Sequence, residues 1–403
     1  MICTIQCFPQ WETIACENIG PTIINMNLYS VAFKDSINGI VVGKDIPPYG
    51  IQPKGYILKT IDGGWNWDTT LIVDSMQFRK VIIVDSMTLY AVGGFNQNRG
   101  VVAKSMDFGN SWILTFFEDN ISSVYFTEDS IGYITSIEGS IYKTIDFGNN
   151  WTNIYTSLNN RMISLGFFDN QNGIVCGDSI LTTHDGGSTW QNLALFNPYD
   201  YEAMDVSIIN NQIGYFGHGT TLLKSIDSGY SWDTVGQLSN YINDLPVRTI
   251  FFPNDSIGYI AVQHYFYKSE DYGLTWEQQS ATIIGSFWDD FHDNYFLNSE
   301  IGFMVGRRQF YKTFYGGEIS LVGEIRNDDI LNIFPNPTNE LLYIDVGDNK
   351  IERIIIVDIR GRIIFESNNS ENQKIDISNI ESGIYFVNIF INNRNMNRMI
   401  IVK

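Results

Sequence analysis

Short runs of β-branched and aromatic residues, separated by turn-forming Gly, Asn, Asp and Ser, occupy most of the chain. In one stretch Ser123-Val-Tyr-Phe126 is followed by Ile131-Gly-Tyr-Ile-Thr135 and then by Ser140-Ile-Tyr-Lys-Thr144. Equivalent trios read VAFKD, GIVVG and YILKT from Val31 to Thr60, and TIFFP, GYIAV and YFYKS from Thr249 to Ser269. A further run follows each trio, such as ILTFF ending at Phe117 or TNIYT ending at Thr156. The pattern predicts an all-β protein built from units of four short strands, one unit per roughly 40 residues.

One phrase punctuates these units. It reads Ser/Thr-x-Asp-x-Gly-x-x-Trp, first as Thr60-Ile-Asp62-Gly-Gly64-Trp-Asn-Trp67 and then ending at Trp112, Trp151, Trp190, Trp232 and Trp276. Its aspartates, Asp62, Asp107, Asp146, Asp185, Asp227 and Asp271, are 45, 39, 39, 42 and 44 residues apart. A decayed seventh copy, Thr313-Phe-Tyr315-Gly-Gly317, follows 44 residues later without the Asp or the Trp. A short carboxylate accepts hydrogen bonds from its own turn, and glycine supplies the positive φ that such a turn needs. Because the carboxylate recurs at equivalent turns, these six aspartates read as scaffold rather than catalyst.

The phrase resembles the Asp-box, or bacterial neuraminidase repeat, of the photosystem-assembly-factor-like and sortilin-like propellers. That resemblance implies that each phrase marks the turn between the third and fourth strands of a propeller blade. Seven copies imply a seven-bladed β-propeller with four-stranded blades. The seventh unit lacks its fourth strand while the chain opens on an isolated Trp11-Glu-Thr-Ile-Ala15, so the N-terminal strand is expected to complete blade seven. The propeller is expected to span residues 11–322, with a linker at 323–330.

Beyond the linker the pattern changes. Residues 331–403 carry short alternating strands that predict a small Ig-like β-sandwich. Asn336-Pro337 precedes Leu342-x-Ile344, Gly361-Arg362 follows an apolar strand, and Gly383-Ile-Tyr385 opens another. These motifs, in this order, resemble the type A C-terminal sorting domain of type IX secretion cargo in Bacteroidota. The resemblance implies the type IX machinery as a partner and an extracellular or outer-surface location. Residues 1–10 show no secretory signal pattern, so such a signal is expected upstream of this start.

Charge narrows the partners. The net charge is −20, with 36 acidic and 17 basic residues before position 331 and 9 and 8 after it. A surface this acidic disfavours nucleic acid, whose phosphates need Lys and Arg to neutralise them. Cys3, Cys7, Cys16 and Cys176, like the four histidines, fall at no metal-ligand spacing, and no metal or cofactor is expected. No apolar run reaches the roughly 18–20 residues of a membrane-spanning helix.

Candidate binding residues come from the face opposite the Asp-box turns, where propellers usually bind partners. The turns between second and third strands supply Lys44, Asp178, His218, His264 and Arg307, while Arg79, Arg161, Arg248 and His292 fall just before first strands. Longer crossovers carry Tyr199, Tyr201, Tyr241 and Trp288. Aromatics beside charges suit glycan stacking or peptide capture. The leading expectation is a binding or adhesion module for protein or glycan. The alternative is a glycoside hydrolase, sialidase-like through three arginines, although no Phe/Tyr-Arg-Ile-Pro motif and no unique carboxylate pair accompany them. A third is a structural surface component.

Overall fold

The computed structural model describes residues 12–13, 26–48, 50–64, 66–95, 99–128, 130–158, 160–193, 203–237, 247–262, 265–278, 291–299, 301–307, 309–313, 332–334, 338, 340–345, 350–358, 362–367, 374–391 and 394–402. They divide into two compact units, one within 9–318 and one within 319–403.

Among the described residues of the first unit there are seven four-stranded antiparallel sheets, numbered 1 to 7 along the chain. Their first strands are Met26–Phe33, Phe78–Ile83, Ile121–Phe126, Met162–Phe167, Ala203–Ile208, Thr249–Phe251 and Phe291–Phe296. Each first strand packs against the next, and Phe291–Phe296 packs back against Met26–Phe33, closing a ring. Sheets 1 to 6 run in plain meander order. Sheet 7 takes its fourth strand from Glu12–Thr13, which pairs with Tyr311 and Lys312.

An apolar core fills each gap between neighbouring sheets. Ile40, Val42 and Ile57 of sheet 1 meet Val81, Ala91 and Val101 of sheet 2, and Phe303, Val305 and Phe310 of sheet 7 meet Val31, Phe33 and Val41 of sheet 1. These cores are why the second strands read as continuous apolar runs: Gly132–Ser136, Gly173–Gly177 and Gly258–Val262 are buried along their whole length. The glycine opening such strands serves a ring. A Cβ on Gly173 would lie 2.5 Å from Phe167, whose ring stacks on Tyr133 with centroids 4.0 Å apart.

The aspartate turns are closed hydrogen-bonded units. Asp146 accepts from Thr144 Oγ1 at 2.8 Å, Asn150 N at 2.9 Å and Asn150 Nδ2 at 2.7 Å. Thr144 Oγ1 accepts in turn from Gly148 N at 2.9 Å, and Trp151 Nε1 donates to Gly148 O at 3.1 Å. Gly148 sits at φ +70°, the conformation glycine adopts without strain. Hydrogen bonds to the ionised form hold Asp107 and Asp185 at pKa values of about 2.

A second repeat joins neighbouring sheets. A lysine stands just before the Ser or Thr of the turn in Lys59, Lys104, Lys143, Lys224, Lys268 and Lys312. Lys104 Nζ donates to Phe147 O at 2.6 Å, Lys143 Nζ to Gly186 O at 2.8 Å, and Lys312 Nζ to Gly63 O at 3.2 Å, each reaching the aspartate turn of the next sheet. Tyr90 and Tyr133 hydroxyls donate to the Phe147 and Gly186 carbonyls as well. The Lys312 bond repeats across the closure what Lys104 does between sheets 2 and 3.

The second unit holds a three-stranded sheet (Asn332–Phe334, Leu341–Asp345, Lys374–Asp376) and a four-stranded one (Ile351–Asp358, Ile363–Ser367, Gly383–Ile391, Arg394–Val402). Leu342, Ile344 and Ile375 from one and Ile354, Ile356, Val387, Ile389 and Ile400 from the other share one apolar core. The recurrent tail motifs are folding residues here. Leu342 and Ile344 are core, Arg362 closes a turn onto Asp358 through both its backbone N (2.9 Å) and its Nε (3.0 Å), and Tyr385 donates to Glu381 O at 2.8 Å. Gly383 opens its strand. Asn336, Pro337 and Gly361 lie outside the described residues.

Candidate functional site

The seven first strands surround a central channel, and six of them place a β-bulge at about the same level. Pairing with the second strand skips a residue between Leu28 and Ser30, Phe78 and Lys80, Ile121 and Ser123, Met162 and Ser164, and Phe291 and Asp293, and skips two between Ala203 and Val206. A bulge re-aims the side chain it carries. The skipped residues include Tyr29, Arg79, Ser122, Ile163 and His292, and these five line one cavity of about 460 Å³. Arg248, just before Thr249–Phe251, and Arg161, just before Met162–Phe167, join them.

Arg79, Arg161, Arg248 and His292, four residues proposed from sequence, thus share one mouth of the channel. Arg79 and His292 stand within their strands, on bulges, rather than before them; the bulge gives a strand residue the reach expected of a loop. The other candidates separate. His218 ends a second strand and Arg307 bridges Asn27, and neither is among the residues lining the channel cavities. Lys44 lies over the rings of Tyr29 and Phe95 at 5.9 and 5.8 Å. Tyr199, Tyr201, Tyr241, His264 and Trp288 lie outside the described residues. Tyr29 was missed by sequence reasoning, since a tyrosine within an apolar strand signals core.

The three arginines differ electrostatically. Arg161 is clamped by Asp178, with NH2 at 3.0 Å and Nε at 3.2 Å from Oδ1. Arg79 and Arg248 each bury an Nε that finds no partner in the protein. Burial lowers the Arg79 pKa against the opposing pull of Tyr29 and Glu138, yet a guanidinium stays charged in proteins. His292 packs against Tyr29 with centroids 4.8 Å apart and the rings tilted by 33°. Burial, then the charge of Arg248, bring its pKa down to about 4, so it is neutral at pH 7.

Below this level a polar belt narrows the channel: Ser30, Lys80, Ser123, Ser164, Asp205, Thr249 and Asp293, the residue after the bulge or its equivalent in each strand. Lys80 Nζ is 3.2 Å from Asp293 Oδ1. Asp293 Oδ2 also accepts from Ser30 Oγ at 2.6 Å and Val31 N at 3.2 Å. Asp205 accepts from Ser164 Oγ at 2.9 Å, Val206 N at 3.0 Å, Ile250 N at 3.1 Å and Thr249 Oγ1 at 3.2 Å. Burial would lower the Lys80 pKa, but the two carboxylates outweigh it and raise it. Burial raises that of Asp205. Both carboxylates thus tie one first strand to the next and are occupied as acceptors. Among the described residues no cluster of three or more His, Cys, Asp or Glu is arranged to hold a metal.

Ring, sheets and charged channel together define a β-propeller with a basic mouth. Residues 147–318 match the family described as photosynthesis system II assembly factor YCF48, and residues 332–403 match the secretion system C-terminal sorting domain. Similar solved structures include YCF48 bound to D1 peptide (17% identity, TM-score 0.59, covering 78% of this chain and 97% of that one) and YCF48 from Cyanidioschyzon merolae (18%, 0.56, 77% and 99%). Another is a GH74 xyloglucanase from Xanthomonas campestris (12%, 0.55, 84% and 60%). At these identities the likeness is one of fold. No curated protein matches the chain. The tail match implies export to the cell surface or the extracellular space.

Proposed function

We propose that the chain is an exported seven-bladed propeller that captures a protein or glycan ligand at its basic mouth, through an anionic group, and that its Ig-like tail serves the type IX machinery. The observation that carries this is the pair Arg79 and Arg248, which line, with Arg161, a cavity large enough for a ligand's side group or terminus, while among the described residues only Arg161 of the three is ion-paired, to Asp178. A ligand carboxylate would give these guanidinium groups the kind of partner that Asp178 gives Arg161. YCF48 has been seen with a peptide bound, which supports a peptide as one form of such a ligand.

Glycoside hydrolysis is the second reading, favoured by the GH74 fold likeness. Against it, Asp205 and Asp293 spend their lone pairs on neighbouring strands, leaving neither free for general acid or base work. An array of carboxylate-bearing peptides and acidic glycans, probed with the full chain and checked for cleavage, separates the readings. Saturable binding without product supports capture, and product supports hydrolysis. A blank array removes both and leaves a structural surface role.

A further inference from the structure

The other end of the same channel differs chemically from the arginine mouth. Beyond the polar belt lies a second cavity of about 440 Å³, on the side where the first strands end. Its walls include Tyr125, Phe251 and Tyr295, which follow the belt by two residues in the first strands of sheets 3, 6 and 7 respectively. All three are partly exposed rather than packed away. Phe251 and Tyr295 stand 5.5 Å apart at 51°, and Tyr125 is anchored by its hydroxyl, which donates to Phe167 O at 2.9 Å.

Charge separates the two ends. The arginine cavity is lined by four cationic side chains against two carboxylates. The aromatic cavity is lined by Asp205, Asp293 and Glu128 against Lys80 alone, and the exposed Glu128 accepts from Asn170 Nδ2 through one oxygen, Oε1. Aromatic faces and excess carboxylate favour the same guest, because a ring's quadrupole and a negative floor both attract a cation. A guest with an apolar stem gains further from Ile82 and Phe126 on the wall.

We propose that this aromatic, acidic end of the channel is a second binding site, which takes an organic ammonium ion on an apolar stem, either a free amine or the side chain of a lysine. The two cavities share the belt residues Lys80, Ser123, Ser164, Asp205 and Asp293, whereas Glu128 and the aromatic walls line this end and Arg79 and Arg248 the other, so substitutions there separate the two sites.

The test is calorimetric titration of the full chain with n-butylammonium and with N-acetyl-lysine-N-methylamide, using 1-pentanol as the neutral control. Saturable binding of either amine, at least tenfold tighter than the alcohol, is expected; which amine binds better distinguishes the two sources. Phe251→Leu is expected to weaken amine binding at least fivefold. Glu128→Gln, at an exposed position that does not endanger the fold, is expected to weaken it two- to threefold. Arg79→Gln should leave it unchanged. No saturable binding, equal binding of the alcohol, or affinity unchanged in Glu128→Gln would overturn the site.

Discussion

Asn294 offers a prediction in which a substitution strengthens the protein. The residue after the polar belt is apolar and buried in the neighbouring strands, as Val31, Val81, Val124, Leu165 and Ile250. In sheet 7 it is Asn294, 2% exposed, and both polar atoms of its amide lack a partner in the protein. A buried, unpaired amide costs about 1–3 kcal/mol. Asn294→Val removes that cost and adds the burial of a valine, worth roughly 1.5 kcal/mol or more. Imperfect fit takes back up to about 1.5 kcal/mol. The expected net gain is at least about 1 kcal/mol and up to about 4 kcal/mol. All nine tryptophans lie between positions 11 and 288, so their emission in urea follows the propeller and not the tail. The unfolding midpoint should rise with its slope unchanged. A fall would show that the amide is satisfied in solution and would refute the reasoning.

Two further outcomes follow from the turns and the sheet interfaces. Gly173→Ala drives a Cβ against the Phe167 ring, itself held by Tyr133 and Trp190, and should lower stability by about 1–3 kcal/mol in the same urea assay. Acid should weaken the propeller in a defined window. Hydrogen bonds from Ser111 and Thr189, foremost, depress the folded-state pKa of Asp107 and Asp185 from 3.8 to about 2. Their contribution is therefore complete above about pH 4 and is lost as pH falls towards 2. Urea midpoints measured at pH 7, 4 and 2.5 should drop mainly in the last interval, and Asp107→Asn with Asp185→Asn should shrink that drop.

Much of the fold was legible because a repeat states the same physics several times. The Ser/Thr-x-Asp-x-Gly-x-x-Trp phrase names its own turn: hydroxyl, carboxylate and positive-φ glycine have partners within eight residues, as do the indoles of Trp67, Trp151, Trp232 and Trp276. The strands between the turns follow from their apolar runs, and the tail's Leu342-x-Ile344 shows a core-facing alternation. Interactions between sheets were harder to read. Nothing local marks Lys104 as a bridge to the Phe147 carbonyl, although a lysine repeating before the turn was available as a signal. The channel was hidden for a similar reason. Ser30, Lys80, Asp205 and Asp293 look like polar interruptions of strands until the ring aligns them. Arg79 and His292 were found by their place at the start of first strands, but the bulges that aim them depend on pairing register, which sequence spacing does not disclose.

The central claim is that Arg79 and Arg248 hold an anionic group at the basic mouth. Its most direct measurement is titration of wild type and the Arg79→Gln, Arg248→Gln double variant with the tightest-binding carboxylate ligand from the array, at two salt concentrations. Glutamine keeps polarity and removes charge, and loss of two charge-assisted contacts, each worth about 1.5–3 kcal/mol, should weaken binding at least a hundredfold. The salt dependence should flatten, while a cooperative urea transition shows that the double variant is folded. Unchanged affinity in a folded double variant would contradict the account and move the ligand away from this mouth.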